Sequence, residues 1–259
     1  MAEWSNVPDS KSGVPQGIRG SNPRLSATFA AVIKPPSRWL FCVLLNEPTL
    51  HDFVETERAM IETIEALRRL YSEAKGRAVQ KQMSHIDEHC ARFIALSPFV
   101  VLASSDSQGA LDASPRGGAP GFVRVADEHT LLIPDSPGNN RLDTLTNIIA
   151  TGSVGLLFMI PGVDETLRVN GRARLNDDAS MLATFADEKR TPKLVIEITV
   201  IDAYLHCAKA FMRSRLWSPA SRVDRAVLPT MGEMLSDQTG LPSSPETQAE
   251  MRARYAADL

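Results

Sequence analysis

The segment from Asp112 to Gly121 combines a hydroxyl group, a guanidinium group and three glycines at the end of a predicted strand. Glycine lets backbone amides approach a ligand closely. The planar guanidinium of Arg116, which follows Ser114 and Pro115, matches a phosphate or the polar edge of a ring. An ordinary hairpin loop with a solvated arginine has the same composition, and the spacing alone favours that interpretation.

A second segment, from Ile133 to Asn147, predicts a strand that leads through a glycine-containing loop into a helix. Asn139 or Asn140 is expected to cap this helix, which places Arg141 in its first turn. Free amides and the helix dipole attract anions to such a position. A cation there is unfavourable for the dipole alone, so Arg141 needs an anionic partner, either Asp143 or a bound phosphate.

Three arginines alternate along the strand predicted from Thr166 to Leu175. Arg168, Arg172 and Arg174 fall on one face, because side chains along a strand alternate with a period of two. Their charges repel one another unless acids or an anionic ligand lie nearby. From the pattern alone, an exposed sheet face with paired acids is the favoured interpretation.

The string His85-Ile-Asp-Glu88-His89 matches the H-x-x-E-H spelling of one class of zinc peptidases. Two histidines four residues apart share a helix face and can chelate a metal. No third ligand is identifiable in the sequence, so we interpret the string as a solvated helix face and expect no metal site.

A basic segment with one tryptophan runs from His206 to Trp217. Its adjacent His206 and Cys207 point in different directions, so the pair is weak support for a cysteine nucleophile. A segment with Arg213 and Trp217 can close over an anionic aromatic ligand. A docking helix with Trp217 in a core explains the pattern equally well.

The composition excludes several classes of protein. A net charge of -3 with 23% charged residues is typical of a soluble globular protein and argues against a general nucleic-acid binder. No apolar run approaches the ~18 residues that cross a bilayer, and the first residues lack the apolar core of a signal peptide. The three cysteines, Cys42, Cys90 and Cys207, are far apart, so we expect no disulfide framework. We also expect a cytoplasmic location and no membrane partner.

Strand patterns dominate the middle of the chain. They cover residues 99–103, 111–113, 121–125, 130–133, 153–160, 166–175 and 194–204, and helical spacing covers 51–75, 84–96, 140–150 and 177–187. A helical tail follows, and its last helix is expected to begin at Ser244-Pro245. Short strands joined by hairpins predict a mainly β protein with flanking helices, built on an antiparallel sheet or barrel.

The sequence patterns predict four parts of the chain. Residues 1–50, which are punctuated by Gly and Pro, are expected to form a flexible or loosely packed extension. N-terminal helices follow over 51–96, the barrel over 97–205 and a helical C-terminal segment over 206–259.

Over about residues 61–240, the motifs together resemble a branch of the pyridoxamine 5'-phosphate oxidase-like, FMN-binding split-barrel flavoproteins. The motifs that carry the resemblance are Ser97-Pro-Phe99, Ser114-Pro115-Arg116-Gly117, Pro120-Gly-Phe122, Ile133-Pro134-Asp135, Gly138-Asn139-Asn140-Arg141-Leu142-Asp143, Leu156-Leu-Phe158, Pro161-Gly162, Glu165-Thr166-Leu167-Arg168-Val169-Asn170-Gly171 and His206-Cys207-Ala-Lys209-Ala. The resemblance implies a six-stranded antiparallel split β-barrel that works as a homodimer with FMN between the subunits.

The resemblance also implies roles for particular positions. The implied cofactor contacts are Ser114, Pro115 and Arg116 along the isoalloxazine and ribityl chain, Asn139, Asn140 and Arg141 at the 5'-phosphate, and Thr166, Leu167 and Arg168 on a strand beside the flavin. The implied substrate side includes Arg213 and Trp217, with Trp217 covering the ring.

Two departures from the family pattern narrow the expected activity. Gly118 stands where the branch more often has an acid, and the C-terminal Arg/His arrangement of true pyridoxamine phosphate oxidases is absent. We therefore expect an FMN-dependent oxidoreductase that acts on a small organic substrate other than vitamin B6, with NADH or NADPH as the candidate donor. No catalytic acid or base is identifiable.

Two alternatives remain open from the sequence. One is an enzyme of the same fold that uses the deazaflavin F420. The other is a non-catalytic flavin- or haem-binding module, since His206 and Cys207 can ligate iron.

Overall fold

A computed structural model of the chain describes residues 60–242 and 246–256. The chain divides into two units, Met1–Glu62 and Thr63–Leu259. The extension predicted over residues 1–50 lies outside the described residues, and the second unit contains the helices and strands of the fold.

One antiparallel sheet of seven strands forms the centre of this unit. The strands are β1 (Phe99–Ser105), β2 (Leu111–Gly117), β3 (Arg124–Asp127), β4 (Thr130–Pro134), β5 (Ser153–Met159), β6 (Thr166–Asn176) and β7 (Val195–His206). Their spatial order is β2-β1-β5-β6-β7-β4-β3, so β2 and β3 are the edges and the described sheet is open. The mainly β architecture with flanking helices is confirmed. The resemblance implies six strands, whereas the described sheet has seven.

The sheet has a buried inner face and a partly exposed outer face. Alternation along β1 and β5 buries every second residue, as the period of two requires. Val100, Phe158 and Leu167 are fully buried on the inner face, whereas Leu157 and Arg168, which are cross-strand neighbours, lie on the outer face. The register therefore assigns each side chain of the sheet to one of the two faces.

Helices cover the inner face and extend from both ends of the sheet. Among the described residues they are α1 (Ile64–Leu70), α2 (Arg77–Gln80), α3 (Glu88–Leu96), α4 (Asp143–Thr151), α5 (Ala179–Ala183), α6 (Lys209–Ser214), α7 (Met231–Thr239) and α8 (Gln248–Ala256). Cys90 and Ile94 of α3 and Leu145 and Ile148 of α4 join the core formed by the inner face. Within the described part of the chain, no helix has both the length and the apolar character that crossing a membrane requires.

Helix α3 begins four residues later than predicted. Asp87 caps it by accepting a hydrogen bond of 2.8 Å from the backbone amide of Cys90, which is the usual role of aspartate at this position. His85 therefore precedes the helix, so it does not share a helix face with His89. Burial raises the pKa of the Cys90 thiol to about 12.

The single helix predicted over residues 51–75 is wrong over its described part. Helix α1 ends at Leu70, and Gly76, with a φ of 58°, is the N-cap of the separate helix α2. The side chains of Ile64 and Leu70 are 72% and 64% exposed. Their helical spacing reflects a short helix whose apolar face is not buried in the core.

The C-terminal helices lie on the surface. None of the residues of α6, α7 or α8 is buried. Helix α8 begins at Gln248, where Thr247 and Glu250 cap each other reciprocally. The predicted start at Ser244-Pro245 lies outside the described residues.

Candidate functional site

Strand β2 directs the residues of the Ser114-Pro115-Arg116 motif to different faces. Ser114 and Arg116 are the cross-strand partners of Leu102 and Val100, so they lie on the inner face. Pro115 pairs with Val101 on the outer face and is exposed. Because β2 is an edge strand, the inner-face pair lies at the rim of the core.

A hydroxyl–carboxylate network joins β2 to the start of α4. The hydroxyl of Thr144 donates to the Asp112 carboxylate at 2.5 Å and lies 3.0 Å from the Ser114 hydroxyl. Ser114 also donates to Asp112, at 2.9 Å. Thr144 is 2% exposed, so this network fixes the helix start against the edge strand.

Arg116 has an unsatisfied buried donor. Its Nε atom is buried and has no hydrogen-bond partner, which is uncommon because buried donors are nearly always paired. Burial raises the pKa of Asp135, while the positive charges of Arg116 and Lys193 oppose that rise. The inner-face end of β2 therefore presents a cation with a free donor, the chemistry that an anionic ligand requires.

Helix α4 begins at an unusual cap. Neither predicted cap, Asn139 nor Asn140, occupies the N-cap position, which is held by Leu142 in the left-handed conformation (φ 59°) without a side-chain hydrogen bond. Asn139 instead accepts from the backbone amide of Arg141 at 3.1 Å. The first amides of α4 therefore have no side-chain cap, which suits an anion.

The partner of Arg141 in the structure is Asp143. The Nε atom of Arg141 lies 2.8 Å from Oδ2 of Asp143, and the arginine side chain is 74% exposed. The hydrogen bond that Arg141 donates to Asp143 raises the pKa of Arg141. Exposed pairs of this kind contribute little stability, so Arg141 can exchange Asp143 for another anion.

The Thr166-Leu167-Arg168 motif at the start of β6 also spans both faces. Leu167 is fully buried on the inner face, so its side chain is not available to a ligand. Thr166 and Arg168 pair with His206 and Tyr204 on the outer face. Arg168 is exposed, and its Nη1 donates to the Tyr204 hydroxyl at 2.9 Å.

The other two arginines of β6 have partners of their own. Arg174 forms a bidentate ion pair with Glu197, at 2.6 and 3.0 Å. Arg172 donates to the carbonyl of Thr151 and to the hydroxyl of Ser153. Among the three arginines, Arg174 alone has the acidic partner that the pattern favoured.

A groove of about 330 Å³ crosses the outer face of the sheet. Small side chains line it on β1 and β5, and Asn170 and Arg172 contribute polar groups from β6. Gly155 keeps it open, because a Cβ at this position would lie 3.2 Å from Oδ1 of Asn170. On the outer face, the pair of Gly155 and Asn170 that lines the groove is next to the pair of Leu157 and Arg168.

The tryptophan predicted for the substrate side is docked against a loop. Its indole Nε1 donates to the carbonyl of Val163 at 2.8 Å, and its ring stacks at 5.5 Å on Phe211. Trp217 is therefore held beside the loop that enters β6 at Thr166. Arg213 is exposed at the end of α6.

A cluster that the sequence did not predict surrounds Tyr204 on the outer face. The Tyr204 cluster consists of Lys81, Arg168, Tyr204 and His206, and the three other members all lie within 5.6 Å of the Tyr204 ring centroid. The strand period places Tyr204 and His206 together, but nothing local in the sequence indicates that Lys81 joins them.

Two sequence details have structural explanations. A Cβ at Gly118, where the family branch more often has an acid, would lie 2.7 Å from Cβ of Phe122. The described residues contain no group of three His, Cys, Asp or Glu side chains arranged to hold a metal.

Comparison with known proteins finds one family that matches part of the chain. Residues 86–207 match the sequence family described as Pyridoxamine 5'-phosphate oxidase. The matched region begins just before α3 and ends after β7, so it includes all seven strands. Among curated proteins, none matches the chain.

Several solved structures are loosely similar to this chain. HupZ from Group A Streptococcus is 18% identical, with a TM-score of 0.39 over 46% of this chain and 91% of its own. An FMN-binding protein from Syntrophomonas wolfei is 12% identical, with a TM-score of 0.35 over 45% of this chain and 84% of its own. An FAD binding protein from Mycobacterium smegmatis is 12% identical, with a TM-score of 0.36 over 48% and 97%. These scores are too low to support a conclusion about function.

Proposed function

We propose that this chain, whose residues 86–207 belong to the pyridoxamine 5'-phosphate oxidase-like, flavin-binding family, is an FMN-dependent oxidoreductase. Its substrate is a small organic molecule other than vitamin B6, and NADH or NADPH is the candidate donor. The observation that carries the proposal is the unsatisfied Nε of Arg116 on β2, the strand that the contact between Asp112 and Thr144 joins to the uncapped start of α4.

These groups fit the 5'-phosphate of FMN. Arg116 supplies a charged donor, and the first amides of α4 supply neutral donors at the positive end of the helix dipole. Arg141 reaches the same anion by exchanging Asp143 for it. Ser114 is already bonded to Asp112, so its role is to hold that carboxylate in place.

When bound, the flavin supplies the electron-transfer chemistry, which no side chain of the protein can provide. The protein binds and orients it. A cation near the N1–C2 carbonyl edge stabilises the negative charge that accumulates there on reduction, and Arg116 and Arg168 are the candidates. The loop held by Trp217 and the exposed Arg213 border the space for the substrate.

The proposal includes a homodimer in the cytoplasm. Arg116 lies on the inner face of the edge strand β2 and Arg141 precedes α4, whereas Thr166 and Arg168 lie on the outer face. A second copy can bring its outer face to the first copy's α4, so that one flavin contacts both sets of residues. This arrangement accounts for two groups of family-matched residues that one chain keeps apart.

Absorbance and mass spectrometry of the purified full chain test the proposal. A flavin spectrum with a released cofactor of the mass of FMN supports it, and anaerobic bleaching by NADH or NADPH identifies the donor. A released cofactor with the mass of F420 supports the deazaflavin alternative. A Soret band supports the haem-binding alternative, for which the unpartnered ring nitrogen of His206 is the candidate ligand. A colourless protein refutes all three.

An arginine replacement tests the phosphate site directly. Arg141→Ala should lose most of its FMN, while Arg222→Ala, at another exposed arginine with no side-chain partner among the described residues, should keep it. Unchanged FMN occupancy in Arg141→Ala contradicts the role of Arg141.

A further inference from the structure

The Tyr204 cluster gathers two cations and an imidazole around one phenol ring. Nζ of Lys81 lies 5.2 Å and Cζ of Arg168 lies 5.6 Å from the Tyr204 ring centroid. The His206 ring is 5.0 Å away and tilted by 49°. The four side chains therefore form one compact group on the outer face.

Neither cation of the Tyr204 cluster has a carboxylate partner in the part of the chain that the structure describes. Among residues 60–242 and 246–256, neither Lys81 nor Arg168 forms an ion pair, and their hydrogen bonds go to the carbonyl of Leu205 and the hydroxyl of Tyr204. Arg174 lies on the same face of the same strand and has Glu197 as a bidentate partner. Two unpaired cations near the same ring repel each other, and an anion bound beside them offsets that repulsion.

His206 adds an unsatisfied buried atom to the same group. Its Nε2 is buried and has no hydrogen-bond partner. Burial lowers the pKa of His206, and the charges of Arg168 and Lys81 lower it further. These effects favour the neutral ring, and its buried Nε2 has no partner within the described residues.

We propose that the Tyr204 cluster binds an anionic group of the substrate, a carboxylate or a phosphate. The substrate class rests on the proposed function, because Arg168 is also one of the residues proposed to lie beside the flavin. Lys81 and the remaining N–H groups of Arg168 donate charge-assisted hydrogen bonds to the anion, and His206 Nε2 donates a further one.

The position of Lys81 is fixed by a contact outside the family match. Met83 and Ala203 exchange backbone hydrogen bonds of 3.1 and 2.8 Å. This antiparallel bridge places the segment around Lys81 alongside the C-terminal part of β7. Lys81 lies before the matched region of 86–207. This chain's own N-terminal segment therefore supplies one of the two cations.

Titration of the purified full chain with sodium phosphate and, separately, sodium acetate tests the proposal, with the His206 ring followed by NMR. Either anion should shift the His206 resonances saturably. Binding should also raise the pKa of His206, because the anion offsets the charges of Lys81 and Arg168 and so favours the imidazolium form. Tighter binding of phosphate indicates a phosphorylated substrate, and tighter binding of acetate indicates a carboxylic acid.

Matched variants locate the site. Lys81→Gln and Arg168→Gln should each weaken anion binding by about tenfold or more, as loss of one charge-assisted hydrogen bond predicts. Arg174→Gln, at the arginine already paired with Glu197, should leave it unchanged. Circular dichroism of all three variants establishes that they are folded.

The outcomes separate this inference from the proposed function. The absence of a saturable shift with either anion, or equal binding by all variants, overturns the anion site even in a protein that contains FMN. Saturable binding at His206 in a protein without flavin supports the site and refutes only the oxidoreductase proposal.

Discussion

Arg116 and Arg168 lie on opposite faces of the same sheet. Arg116 pairs with Val100 of the buried face, and Arg168 pairs with Leu157 of the outer face. Their strands are three positions apart in the sheet, which corresponds to about 14 Å at ~4.8 Å per strand. In the proposed dimer, each copy of the chain contributes one of these two side chains to a shared flavin site.

Mixed dimers test this arrangement. Arg116→Gln and Arg168→Gln should each lose most of their FMN when produced alone. When the two variants are produced together in equal amounts, half of the dimers are mixed and carry one intact site, so about a quarter of the sites should recover FMN. FMN occupancy is measured from the ratio of flavin to protein absorbance.

The control for that experiment is the co-production of Arg116→Gln with Arg141→Gln. Both side chains belong to the same half of the proposed site, so no mixed dimer regains an intact one. Equal FMN recovery in the two mixtures, or no recovery in either, contradicts a site shared between subunits.

The contact between Thr144 and Asp112 should contribute measurably to stability. Thr144→Val keeps the shape of the side chain but leaves the Asp112 carboxylate without its 2.5 Å donor. We expect a loss of about 1–3 kcal/mol in the free energy of unfolding, measured with urea. Thr146→Val, at an exposed position of the same helix, should change it by less than about 0.5 kcal/mol. Equal effects of the two variants would show that the network is not stabilising.

The ion pair between Arg174 and Glu197 predicts a pH-dependent stability. The hydrogen bonds from Arg174 hold the pKa of Glu197 below its ordinary value of 4.5. A lowered pKa in the folded state contributes stability that is present above pH 4.5 and is lost as the pH falls through the folded-state value. Since Arg174 is 74% exposed, Arg174→Gln should lower the stability only slightly at pH 7.

The pH dependence of stability in the acid range distinguishes the ion pair of Arg174 and Glu197 from the contacts of the neighbouring Arg172. The difference between wild type and Arg174→Gln should shrink below pH 4.5, measured by urea unfolding across the acid range. The cost of Arg172→Gln should not change over the same range, because its partners are a carbonyl and a hydroxyl. A constant deficit for Arg174→Gln at every pH would exclude the ion pair as its cause.

The cap of α4 offers a stabilising substitution. Leu142 has a φ of 59° and no side-chain hydrogen bond at the N-cap, and asparagine tolerates this conformation better than leucine does. Leu142→Asn should raise the free energy of unfolding by about 0.5–1 kcal/mol. Leu96→Asn, at a helical residue with the same 53% exposure, should lower it by a few tenths of a kcal/mol. A decrease for Leu142→Asn would show that the left-handed backbone carries no cost here.

Local patterns predicted the strands well. The continuous apolar run of β1, the alternation along β7 and the turn residues between β3 and β4 are properties of a few neighbouring residues, and all seven predicted strand segments are present in the sheet. Helix bounds were less predictable. Ile64 and Leu70 have helical spacing but remain exposed, because periodicity does not determine whether another element covers the apolar face.

The sequence by itself determined which residues alternate along each strand and which motifs match the flavin-binding family. Only the tertiary structure decided that Ser114 and Arg116 face the core side while Thr166 and Arg168 face outward, that Glu197 pairs with Arg174 and not with Arg168, and that Lys81 reaches Leu205, 124 residues away. The physical reason is that alternation is encoded by adjacent residues, whereas faces, ion pairs and unpaired charges depend on the register between strands distant in sequence.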